Sequence, residues 1–218
     1  MKKYLILILL FIMPISAYLF FASGVNQFER LPIISEGVNE LPKGESLLGN
    51  SPALEGKITV LGFPGAHLFK DRGDAFNLNQ KIYKKYKDFD DFQLVMVLPK
   101  GSEAEAQKVV DELSPISDMS NWNYLFLERD EIQTFYNSLG LVGKLDEDMA
   151  SVNVYLVDKD RNVRGRNGKS KAGQFEYKEG YSTISAAELH NDMMDDVKVL
   201  LAEYRLALKK YKRINKDQ

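Results

Sequence analysis

The chain has 218 residues, 44% of them hydrophobic, and a formal net charge of −2. That balance offers nothing to a polyanion, and the one dense basic run, Lys209-Lys210-Tyr211-Lys212-Arg213, closes a predicted helix, so nucleic-acid binding is excluded as an expectation. Cysteine is absent, which rules out disulfides, thiol nucleophiles, thiolate metal sites and a cysteine-linked lipid anchor in this chain.

In chain order, Met1-Lys2-Lys3 precedes an uncharged apolar run from Tyr4 to Ala22. About 20 apolar residues span a bilayer core. With two lysines ahead of the run, the N-terminus is expected in the cytoplasm and the rest outside it. Residues 1–23 are therefore read as a transmembrane anchor. A cleaved signal peptide is the alternative, disfavoured because the run exceeds the ~7–15 residues of a signal core. Residues 24–56 hold Pro32, Pro42 and Pro52 with several glycines and no periodicity, which reads as a linker.

Residues 57–205 are expected to form one domain, with 206–218 a charged helix end and tail. Lys57 to Pro64 is a short apolar run that predicts a fully buried strand. Ala75, Leu78, Ile82 and Tyr86 recur at helical spacing and predict a helix from Arg72 to Lys87. A second buried strand follows at Phe92 to Leu98, then a helix opened by a capping box of Ser102 and Glu105 and ended by Pro115. Trp122 to Leu127 predicts a strand, Asp130 to Leu139 a helix stopped by Gly140, and Val152 to Val157 a strand that turns through Asp158 to Asn162 into a hairpin. Ser185 and Glu188 form a second predicted capping box. It opens the longest helix, with Leu189, Met193, Val197, Leu200, Leu201 and Tyr204 on one face. The part beyond Tyr204 is expected to project and to be available for self-association.

Strands alternating with helices, then a hairpin and a closing helix, is the thioredoxin-like arrangement: a mainly parallel sheet with helices on both faces. Several stretches resemble the SCO/SenC family of membrane-anchored, thioredoxin-like proteins linked to copper delivery for cytochrome c oxidase. They are the N-terminal anchor, the strand ending at Phe63, Trp122-Asn123-Tyr124-Leu125 leading to Leu139-Gly140, and Val154-Tyr155-Leu156-Val157-Asp158 with Asn162-Val163-Arg164-Gly165. The resemblance implies two copper-binding cysteines after the first strand and a distal histidine before Leu156. Counting from Phe63, the cysteine positions fall on His67 and Asp71 or on Leu68 and Arg72; the histidine position falls on Ala150. All three ligands are replaced, so thiol–disulfide exchange is excluded and the usual copper chemistry does not carry over.

Other candidates read blandly. His67 and Met149 could supply imidazole and thioether to Cu(I), but as single residues they make a weak metal site. Asp158, Asp160 and Asn162 imitate a calcium loop, yet Val163 replaces its glycine and Lys169 its closing glutamate, so a hairpin turn is expected. Gly168-Lys169-Ser170 lacks the feeding strand of a phosphate loop and reads as a loop. His190 is expected to be solvated.

The expected function is a binding or assembly module without cofactor, not an enzyme. It is tethered in the cell membrane by a single N-terminal pass, with its domain on the periplasmic side, and engages another envelope protein. A divergent copper carrier using His67 and Met149 is the alternative. An enzyme of unrecognised type is a weaker one, requiring a polar pocket with shifted carboxylates at the strand ends.

Overall fold

Strand β3 (Ile58–Pro64) lies at the centre of the molecule, with β4 (Phe92–Pro99) and β6 (Ala150–Val157) on either side. Its run is apolar but for Thr59, whose hydroxyl accepts from Gln93 on β4, because both faces of the sheet are covered. Alternate side chains divide between two cores. Val60, Leu94, Met96, Trp122, Tyr124 and Leu156 enter one cluster; Leu61, Phe63, Val95, Leu125, Tyr155 and Val157 enter the other.

The computed structural model describes residues 10–16, 18, 30–49, 51–169 and 173–214. Residues 10–16 are helical, but most of the predicted anchor lies outside the described residues. Among those described, no helix is long and apolar enough to cross a membrane.

With β1 (Ile33–Ser35), β2 (Glu45–Ser46), β5 (Trp122–Leu127) and β7 (Val163–Arg164), the sheet runs β1-β7-β6-β3-β4-β5-β2, and β10 (Tyr181–Ser182) pairs with β6. Only β3, β4 and β5 are mutually parallel. The other pairings are antiparallel, so the sheet is mixed rather than mainly parallel. The cause is chain direction. Helical crossovers join β3 to β4 and β4 to β5, whereas later connections return strands head to tail.

Helix α1 runs Arg72–Leu78, widens to a π-helical segment at Asn79–Tyr83 and finishes at Lys84–Tyr86. Helix α2 is Glu103–Leu113 and α3 is Arg129–Ser138. Helix α4 begins at Ala186–Glu188, passes a second π segment at Leu189–Met193 and continues through Met194–Ile214, without a break at the expected boundary after 205. Residues from α1, α2 and α4 fill the first cluster, while α3 supplies Ile132, Phe135 and Tyr136 to the second.

The expected linker is in part domain. β1 and β2 hydrogen-bond to β7 and β5, and Leu31, Val38, Leu41 and Leu54 are buried. Strands of two or three residues carry no readable alternation, which is why composition hid them. Gly168 and Lys169, expected in a loop, belong to β8 (Arg166–Lys169), which pairs with β9 (Phe175–Lys178). That hairpin is clamped to α4: Arg166 meets Asp192 and Asp196, and Lys178 meets Glu188 and Asp192.

One predicted cap fails. The Ser102 hydroxyl donates to the Pro99 carbonyl instead of accepting from α2, and Glu105 pairs with Lys108. A cap the sequence did not advertise lies at α3, where the Glu131 carboxylate accepts the Glu128 backbone N–H at 2.9 Å. At Ser185 the hydroxyl accepts the Glu188 N–H as expected, while the Glu188 carboxylate is drawn to Lys178.

Candidate functional site

The carboxyl end of β3 is where strand–loop–helix folds gather their chemistry, and here Pro64 pairs with Ala150 at the start of β6. The two chains lie very close. Gly65 has φ +72, and a Cβ on it would sit 2.7 Å from Ala150 Cβ and 2.9 Å from the Asp148 carbonyl. The fold therefore brings the loop after β3 beside the distal position, the two halves the resemblance implied.

The side chains at those halves do not form a ligand set. His67 is exposed, with Nε2 3.8 Å from an Asp148 carboxylate oxygen. Leu68 is buried in the first core, which fits an apolar residue and not a ligand to an accessible ion. Asp71 is exposed at the N-cap of α1, and Arg72 pairs with Glu112 at 3.2 Å over the Phe69 ring. Met149 packs partly buried against the second core. Among the described residues, no three His, Cys, Asp or Glu side chains gather where they could hold a metal ion.

The calcium-like triplet resolves into a turn with an anchor. Asp158 accepts the backbone N–H groups of Asp160 and Asn162, and pairs with Arg164 at 2.8 Å. Arg164 also donates to the Leu31 carbonyl and to Glu203. Burial works against the guanidinium charge, but the bonds to Asp158 and Glu203 outweigh it and hold its pKa above the usual value. His190 is exposed, as expected.

What sequence reasoning missed is a cavity of about 860 Å³ around the end of β3, lined by residues including Pro64, Asp74, Trp122, Tyr124, Asn153 and Thr183. Its size falls within the range of small-molecule sites. Gly62 in mid-strand shapes the wall, since a Cβ there would sit 2.7 Å from the Met96 sulfur. Asp74 lies on the wall and accepts the Thr183 hydroxyl at 2.9 Å. Burial raises the Asp74 pKa, and nearby Asp71 adds to the rise, while the Thr183 bond opposes it. This satisfies part of the condition set for an enzyme, with one shifted carboxylate rather than a matched pair. The available sequence signals were a glycine inside a strand and two aromatics with polar handles on a buried one.

No protein-family model matches the chain, and no curated protein matches it. Solved structures do. A SCO1/SenC family lipoprotein from Bacillus anthracis str. Ames superposes with a TM-score of 0.57 at 19% identity, covering 79% of this chain and 99% of that one. BsSco, a member of the Sco family of cytochrome c oxidase assembly proteins, gives 0.56 at 16% identity over 79% of this chain and 96% of its own. A putative electron transfer protein from Aquifex aeolicus VF5 gives 0.50 at 13% identity over 76% and 98%. At these identities the likeness concerns the fold: this chain has the thioredoxin-like α/β fold seen in SCO/SenC proteins, built without a cysteine.

Proposed function

We propose that the chain is a non-catalytic binding or assembly module. Its N-terminal apolar segment tethers it to the cell membrane, and its domain engages another envelope protein on the extracytoplasmic side. The observation that carries this reading is the strand-end site: the loop and β6 are in place, yet the implied ligand positions hold an exposed histidine and aspartate or a core leucine and an ion-paired arginine, and an alanine. A fold outlasts the chemistry it once hosted. Support comes from the surface beside it, where Val142 is 76% exposed and Tyr177 44% exposed. Glu179 joins the two, accepting the Val142 N–H and the Tyr177 hydroxyl.

The experiment is photo-crosslinking in native membranes from a benzoylphenylalanine at position 142, with position 80 on α1 as control. A discrete adduct from 142 and not from 80 is the expected result. Monomer alone from both positions counts against the reading. A divergent copper carrier is the second reading, favoured by the Pro64–Ala150 pairing that sets the His67 loop beside Asp148 and Met149. An enzyme of another type is weaker, with Asp74 and Thr183 as its available carboxylate and hydroxyl.

A further inference from the structure

Trp122 and Tyr124 sit two residues apart on β5 and line the cavity with nearly parallel rings, 15° between planes. Each residue is 1% exposed. The Trp122 Nε1 and the Tyr124 hydroxyl are both buried without a hydrogen-bond partner. Buried polar groups without partners are costly and rare in folded proteins, so two on one cavity wall need a reason. An indole N–H only donates, and a phenol donates readily, so both are met by an acceptor.

Gly62, Leu78, Met96 and Val154 add apolar surface around these two groups, while Ser151, Asn153 and Thr183 make part of the wall polar. Among the lining residues, Val152 is 52% exposed and Ile184 is 64% exposed, so part of the approach is apolar, alongside the exposed Lys70 and Lys144. Asp71, Asp74 and Asp146 outnumber Lys70 and Lys144 in the lining, a balance that disfavours a free carboxylate or phosphate.

We infer that the cavity is a binding site for an uncharged apolar molecule carrying a carbonyl oxygen, which accepts from Trp122 Nε1 and Tyr124 Oη. Such a site is independent of any protein partner and of any metal at His67.

The chain contains a single tryptophan, so its one indole N–H resonance reports on the site without further assignment. The full chain, labelled with nitrogen-15 at tryptophan and held in dodecyl maltoside, a detergent without carbonyls, is titrated with methyl nonyl ketone. Undecane is the matched alkane. The ketone moves the indole resonance downfield to saturation, and undecane leaves it in place. Tyr124→Phe weakens ketone binding by about 3- to 10-fold, the share of one neutral hydrogen bond. Its thermal midpoint stays at or above the parent's, because an unpartnered hydroxyl has been removed. Ile184→Asp, at an exposed position, also weakens binding by placing a charge at the mouth, and serves if Tyr124→Phe does not fold. No saturable shift with the ketone, an equal shift with undecane, or unchanged ketone affinity in the folded variants overturns the inference.

Discussion

Arg164 is held by Asp158, Glu203 and the Leu31 carbonyl, and so ties the hairpin to the N-terminal segment and to α4. With Asp158 only 1% exposed, removing its cation strands a buried carboxylate. Arg164→Met is therefore expected to cost about 3–5 kcal/mol, read as a drop in the urea midpoint. Asp74 gives the opposite sign. Its pKa is raised in the folded chain, so the neutral carboxyl is the form the fold prefers. The contribution of Asp74 to stability is deficient above the folded pKa and is recovered as pH falls through it toward the ordinary value of 3.8. Asp74→Asn should raise the midpoint at neutral pH, and the gap should close in acid; a gap that widens in acid would contradict this assignment. Neither role was legible beforehand. Asp158 could be read as a turn residue from its spacing, but its pairing with Glu203 through Arg164 joins positions far apart in sequence.

At the scale of elements, the strands β3, β4 and β5 and the main helices were readable because burial on both faces leaves runs that are apolar but for Thr59, Gln93 and Asn123, and packing on one face leaves a helical period. β1 and β2 were not, being too short to carry a pattern. In the segments around them, Leu31 joins the first core and Val38, Leu41 and Leu54 join the second. The direction of β6 was also hidden, since an apolar run looks alike in either orientation. Caps are equally local. Ser102 followed by Glu105 fits the pattern, but the tight turn at Pro99 claims the hydroxyl first. The cap that does form is that of Glu131 at α3, so Glu131→Ala should cost about 0.5–1 kcal/mol by thermal melting, and Glu105→Ala much less.

For the molecule as a whole, the sheet keeps the loop after β3 and the start of β6 in contact. The sequence showed that His67, Leu68, Asp71, Arg72 and Ala150 supply no thiolate there. It could not show the cavity beside them, because Gly62, Asp74, Trp122 and Thr183 come together only when β3, α1, β5 and the turn after β10 pack. If the scaffold now serves contact, copper should find no defined seat on it. The direct measurement is Cu(I) titration of the full chain against a chromophoric Cu(I) chelator, with His67→Ala alongside. The account predicts that parent and variant behave alike, with no end point at one equivalent. An end point of one Cu(I) per chain in the parent that disappears in His67→Ala would contradict it.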